Sequence, residues 1–217
     1  EEVVVTATRA GEKAPITYSE MSREEIEELN FGQDIPFILQ YEPSMVVTSD
    51  AGAGVGYTGL RIRGSDQTRI NVTINGIPLN DPESQGVFWV NMPDFASTTE
   101  NIQIQRGLGT STNGAGAFGA TVNFQTLRPE MKPYGEISSS YGSFNTMKNT
   151  VQFGSGLVNN RFSIQGRLSQ ISSDGYVDRA TSDLQSFFLT GGYYGEKNAL
   201  KAVVFSGKEI TYQAWWG

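Results

Sequence analysis

The sequence predicts a small α+β domain over residues 1–132, a mixed sheet with short helices, followed by antiparallel β-strands over 133–217. Three observations lead there. Composition changes near Leu127-Arg128-Pro129, from heterogeneous segments to strands alternating with short polar turns. The later strands run about ten residues, longer than the usual five or six. Twenty-five glycines and twelve phenylalanines with only 18% charged residues mark a β-rich, turn-rich chain.

The elements follow in order. Residues 1–10, EEVVVTATRA, open on a β-branched run bounded by charge. Ser22-Arg23-Glu24-Glu25 has the spacing of a capping box, with Ser22 as N-cap and Glu25 three residues on, and predicts a helix through Leu29. A second short helix is expected from Asp34, turning Ile35, Phe37, Ile38 and Leu39 inward and stopping before Pro43. Short strands are predicted at Met45–Thr48, Leu60–Arg63, Asn71–Asn75, Asn101–Arg106 and Thr121–Gln125. Long loops at 49–59 and 77–96 separate some of them. Further strands are predicted at 134–142, 146–155, 160–172, 184–194 and 198–207, joined by Gly- and Asn-containing turns.

The strand at 160–172 alternates most clearly. Phe162, Ile164 and Leu168 share one parity; Arg161, Ser163, Gln165, Arg167 and Ser169 share the other. One apolar and one polar face fits a soluble sandwich and equally a barrel in lipid. Period favours the commoner soluble form, whereas strand length suits a tilted membrane span of about 9–11 residues.

Composition excludes several chemistries. The chain of 217 residues has no cysteine and no histidine, so it has no thiol nucleophile, disulfide, His-assisted triad or His/Cys zinc site. A net charge of −7 opposes nucleic-acid binding. There is no apolar run of about 18 residues, and hence no transmembrane helix. The chain opens at Glu1 without a signal peptide and stops at Trp215-Trp216-Gly217 in polar-aromatic sequence, so a fragment is expected.

Two stretches have the spacing G-x-G-x-x-G, at Gly54, Gly56, Gly59 and at Gly114, Gly116, Gly119. A dinucleotide site needs a helix after the glycines, but a strand follows each, so tight backbone turns are the better account. Asp81 and Glu83 form a carboxylate pair in NDPES, a run of turn formers. The loop Gly86–Met92 displays Phe88, Trp89 and Met92, either covering a core or presenting a stacking surface. Arg61, Arg63, Arg69 and Arg106 lie on or beside strands, and a buried guanidinium there requires a carboxylate.

Taken in order, these segments resemble the N-terminal part of a TonB-dependent outer-membrane receptor. LRIRG at 60–64 is similar to the family's IRG strand, and INVTINGIPLND at 70–81 to its V-x-V-D-G-V-P-L-N-D segment, with Asn75 in place of Asp. Residues 99–126 resemble the stretch I-E-x-I-E-V-x-R-G-P-x-S-x-x-Y-G-x-x-A-x-G-G-x-I-N-I-x-T. Leu108, Asn113 and Ala120 depart there from Pro, Tyr and Gly. EEVVVTATR at 1–9 resembles the TonB box.

The resemblance implies a plug domain at 1–132 and about five opening strands of an incomplete transmembrane β-barrel at 133–217, from a barrel of about 22 strands. It implies no enzyme and no cofactor. The function implied is energy-coupled import across the bacterial outer membrane of a scarce, bulky nutrient, foremost an iron–siderophore complex, a metal chelate; cobalamin, haem and glycan remain alternatives. Val3, Val4, Val5, Thr6 and Ala7 would dock the TonB C-terminal domain by strand addition. Tyr57, Gln85, Phe88 and Trp89 would face the ligand. Arg63 and Arg106 would latch plug to wall glutamates beyond Gly217, and both are expected exposed or loosely engaged in this chain. Gly64, Gly76, Gly107 and Gly119 would be structural turn glycines, and lipid would surround the barrel. The competing classes are a soluble β-rich binding or adhesion module and a hydrolase using Asp81 or Glu83.

Overall fold

The computed structural model describes residues 9–11, 15–50, 52, 54–108 and 117–212. Strand β1 (Thr17–Ser22) runs directly into helix α1 (Arg23–Leu29). The junction is the capping box read from the sequence. The Glu25 N–H donates to Ser22 Oγ at 3.3 Å, and the Ser22 N–H donates to the Glu25 carboxylate at 2.7 Å. The helix buries Ile26. Helix α2 (Ile35–Ile38) has Pro36 in its first turn, where a missing N–H costs nothing, and a 3₁₀ turn at Leu39–Tyr41 carries it on.

Strands β2 (Met45–Ser49) and β3 (Thr58–Ile62) pair as a separate antiparallel ribbon. Strand β3 ends one residue sooner than predicted, because Arg63 (φ 51°) and Gly64 (φ 78°) make the turn. Then come β4 (Ile70–Ile74), the short β5 (Ile77–Pro78), β6 (Thr99–Arg106) and β7 (Ala120–Thr126). With β1 they form a sheet in the order β1-β6-β7-β4-β5, mixed because β4 and β7 run parallel. Neither β1 nor β5 is apparent from the sequence. TYSEMS carries only one buried residue, Met21, and β5 is a two-residue return after the Asn75-Gly76 hairpin turn. Ile26, Ile38, Leu39, Ile62, Ile102 and Ile104 fill the core beneath this sheet.

Strands β8 (Tyr134–Tyr141), β9 (Met147–Gly154), β10 (Phe162–Ser173), β11 (Ser182–Tyr194) and β12 (Ala199–Thr211) form a second sheet, an antiparallel meander paired in chain order. Among the described residues it is open at β8 and β12. Its sidedness is the reverse of a soluble sandwich. On β10, Leu168 is 58% exposed, as are Phe162 and Ile164 in similar measure, while Gln165, Arg167 and Ser169 are buried against the first domain. Neighbouring strands continue the outer row, with Ile137, Val151, Leu168 and Phe187 side by side in register. Gly166 belongs to that outer face, and a Cβ there would strike the Phe153 ring lying across it. The alternation first read as compatible with a soluble sandwich thus has its apolar face outward.

Phe124 joins the layers. Its ring meets Trp89 edge-on at 6.1 Å and Phe95 at 5.8 Å, and Phe95 in turn meets Phe205 of β12 at 5.4 Å. Phe124→Ala should therefore cost about 3–5 kcal/mol of stability, measured as a lowered denaturation midpoint. A loss below about 1 kcal/mol would show that the site collapses around the cavity.

Candidate functional site

Among the described residues, the ion pairs between the second sheet and the first domain converge on one carboxylate. Asp94 sits at the entry to the 3₁₀ turn Phe95–Thr98 in a left-handed conformation (φ 52°), which turns its side chain toward the second sheet. Oδ2 lies 2.6 Å from Arg167 Nη1 on β10, and Oδ1 lies 2.8 Å from Lys148 Nζ on β9. Arg167 Nη1 also donates to the Asp94 carbonyl at 2.9 Å, and Nη2 donates to Ser186 Oγ at 3.0 Å. Ser97 donates its hydroxyl to Asp94 Oδ1 at 2.6 Å and accepts from Lys148 at 3.0 Å. Burial alone would raise the Asp94 pKa, but Lys148 and Arg167 outweigh it and hold the carboxyl below its usual range. The sequence held a signal for this cluster. Cations on the inward parity of two adjacent strands have to find a carboxylate.

Of the two arginines expected to be exposed or loosely engaged, Arg106 departs from the expectation. Arg106 is buried inside the first domain, not exposed. Its Nη2 lies 2.9 Å from Glu42 Oε2 and 2.9 Å from Ser19 Oγ, and its Nε donates to the Pro43 carbonyl at 3.0 Å. The turn after α2 delivers Glu42 to the end of β6, where a local partner satisfies the guanidinium. Arg63 is exposed, with Nη1 3.5 Å from the Arg106 carbonyl.

Beside β3 lies a cavity of about 490 Å³ whose lining includes Asp50, Tyr57, Arg61, Asp66, Gln67 and Phe88. Tyr57 and Phe88, both exposed, are thus brought together. Trp89 borders the same cavity but is only 2% exposed, its ring turned onto Phe124 and its indole N–H without a partner, so it covers the core. Adjacent residues in a 3₁₀ entry point to different sides, and Phe88 takes the outward one. Gln85 is exposed on the turn before the loop and lies outside the lining. Asp81 is that turn's cap. Its Oδ1 accepts the N–H groups of Ser84 at 2.7 Å and Glu83 at 3.0 Å, and these bonds lower its pKa. An acid poised for proton transfer would be shifted the other way.

Gly64, Gly76 and Gly107 take positive φ as turns require. Gly119 serves through close approach, since a Cβ there would collide with Ser65. The carboxylate of Asp34, at the start of α2, accepts the Thr58 hydroxyl at 2.7 Å, and its N–H donates to the Gly54 carbonyl at 2.9 Å. It so ties the Tyr57 loop to the core. Burial raises its pKa to about 7, against the Thr58 hydroxyl and the Gly56 N–H, which lower it. The segment Val3-Val4-Val5-Thr6-Ala7 lies outside the described residues.

A family model described as the TonB-dependent receptor plug domain matches residues 10–121, more than half of the chain. The chain belongs to this family. Among solved structures, the ferripyoverdine receptor of the outer membrane of Pseudomonas aeruginosa is similar with a TM-score of 0.77 at 14% identity, covering 95% of this chain and 27% of that one. The alcaligin outer-membrane receptor FauA of Bordetella pertussis gives 0.72 at 18% identity, covering 92% and 33%. Haemoglobin-haptoglobin utilization protein B of Neisseria meningitidis serogroup C is 26% identical over 149 residues, 61% of this chain and 18% of that protein. The chain therefore spans a third or less of the length of these relatives. The mixed sheet with short helices is the plug of a TonB-dependent receptor, and the meander is part of its barrel, with the sheet not closed.

Two consequences are measurable. Asp94→Ala strands two cations at the joint and should weaken plug docking by about 3–5 kcal/mol, seen as faster proteolysis of the plug inside an assembled barrel. An unaltered digestion rate would show that the apolar contacts alone hold the joint. For Asp34, folded chain keeps the proton until about pH 7, whereas the unfolded chain releases it near 3.8. The folded state binds more protons between those values, so its stability falls as pH rises through them. Asp34→Asn should remove that slope and gain up to about 4 kcal/mol over the parent at pH 8 relative to pH 4. Parallel stability–pH curves for parent and variant would refute the assignment.

Proposed function

We propose that this chain is the plug and opening wall of a receptor that imports a scarce, bulky nutrient across the bacterial outer membrane with energy delivered through TonB, and that the nutrient is an iron–siderophore complex. The observation carrying this reading is the sidedness of the second sheet. A wall with Phe, Leu and Ile outward and Gln, Arg, Lys and Ser inward suits lipid outside and a polar plug inside. Five such strands in water would expose a broad apolar face with two open edges. That argues against a soluble adhesion module. The turn role of Asp81 argues against a hydrolase.

The cavity beside β3 supports a chelate as ligand. Tyr57 and Phe88 offer ring faces, Arg61 offers a positive charge, and Gln67 offers an amide. Asp50 and Asp66 share the lining with Arg61, so the set offers stacking surface rather than net positive charge, and an aromatic-bearing chelate matches it without any protein ligand to the metal. One structural neighbour is described as bound to ferripyoverdine, and another as a siderophore receptor. The curated relative is named for haemoglobin-haptoglobin use, so a haem source is the second reading. In this scheme residues 3–7 dock TonB on the periplasmic side. The exposed Arg63 meets a carboxylate of the wall that completes the barrel.

The test is ligand binding by the intact receptor, with ferric siderophores, haem, cobalamin and an oligosaccharide as the panel. Ferric siderophore should bind most tightly, and Phe88→Ala and Tyr57→Ala should each weaken it about tenfold, with the amount of assembled barrel unchanged. Preference for haem would select the second reading. Unchanged affinity in both variants would return these rings to a structural role.

A further inference from the structure

Gln103, in the middle of β6, is fully buried, yet its side chain reads the backbone of a residue far away in sequence. The Ala10 N–H donates to Gln103 Oε1 at 2.7 Å, and Gln103 Nε2 donates to the Ala10 carbonyl at 3.0 Å. This is the two-bond exchange of an antiparallel ladder, with a side-chain amide in place of the second strand. The rest of the amide is also committed. Nε2 donates to Glu20 Oε1 at 2.7 Å, and Oε1 accepts from Gln105 Nε2 at 2.9 Å. Two hydrogens and two lone pairs are therefore all used. Glu20 Oε1 in turn lies 3.2 Å from Arg9 Nη2, so a second bond grips the neighbouring residue.

Among the described residues no strand partner holds Arg9 and Ala10, although Ala10 is buried and the Arg9 side chain is only 11% exposed. Their position nevertheless is fixed by a buried, saturated group. We propose that Gln103 fastens the N-terminal leader to the plug, so that a pull on the chain upstream of Arg9 is delivered to β6, and that rupture of this clamp is the first step of plug opening; the second half rests on the transport reading above. Topology supports the order of events. Ala10 precedes β1 in the chain, and among the described residues β1 is the outermost strand of the sheet, paired only with β6. Load entering from the leader meets the clamp first. Only after it yields does the load reach the end rung of β1, Thr17 against Arg106, from which the edge strand peels one rung at a time. A leader without the clamp would take up slack before any force reached the sheet.

Gln103 is a positioning residue, and its test separates leader mobility from transport. A spin label is placed through Gly11→Cys, where an added Cβ meets nothing, in the full-length receptor in outer-membrane vesicles. The parent should give an immobilised spectrum. Gln103→Glu sets a carboxylate against the Ala10 carbonyl and Glu20 and should convert most of the signal to the fast component. Ala10→Pro removes the N–H donor while leaving Gln103 in place and should do the same, which covers the case in which Gln103→Glu fails to fold. In both, pulling the single molecule from upstream of Arg9 should lose the first rupture event that the parent shows before β1 peels, while the affinity for a ferric siderophore is unchanged. A mobile leader in the parent, or an immobile one in both variants, would overturn the clamp. A first rupture event that persists although the leader is mobile would overturn its role in delivering force. A receptor that imports nothing while its leader is held and released as described would fail the transport reading and leave the clamp established.

Discussion

One buried carboxylate, Asp94, decides how the two sheets meet. It is compensated by two cations from adjacent wall strands, so it sets both the height and the rotation of the plug against the wall. Apolar packing alone would leave these free to slide. A charged joint is also directional in a way that packing is not. It tolerates no half-docked arrangement, because partial withdrawal leaves three charges short of water and partners together. Desolvation makes such a cluster weak as a source of net stability. Its value lies in the uniqueness of the docked position.

The inner face of the wall would be an anomaly in a water-soluble protein, since it buries Gln, Arg, Lys and Ser where a core would put Leu. Some inward groups meet plug polar atoms instead, and others pair within the wall, as Thr190 does with the Ala202 carbonyl at 3.1 Å. Gln165 Nε2 donates to the Arg128 carbonyl at 2.8 Å, and Lys201 Nζ donates to the Leu127 carbonyl at 3.1 Å. Both bonds fall on the segment that leads from plug to wall, so the chain's own connector is part of what the wall recognises. An interface built from hydrogen bonds can be loosened by water that enters when the plug shifts. An interface of interlocked aliphatic side chains would resist that.

Local chemistry was legible in the sequence; direction in space was not. The Ser22–Glu25 box and most strands could be placed because each depends on neighbours within a few residues. The edge strand β1 could not, since it owes its conformation to pairing with β6, some eighty residues later. Arg106 was recognised as needing a carboxylate, but Glu42 as its partner is a tertiary fact. Phe88 and Trp89 are alike to any sequence scale, and a single step in a 3₁₀ turn sends one outward and one into the core. The sign of the alternation on β10 was likewise invisible. Period two states that the faces differ, without stating which one meets the plug.

The column of rings Trp89, Phe124, Phe95 and Phe205 has a consequence for biogenesis. Three of its members belong to the plug, and the fourth is supplied by β12. A plug that condenses before that strand arrives presents the Phe95 ring without its lid. Closing this contact joins residues more than a hundred positions apart, the kind of long loop whose closure slows folding. The nascent chain thus carries an adhesive spot through the period when wall strands are still unpaired. Seating of the plug and pairing of β12 are in this way coupled through one ring contact.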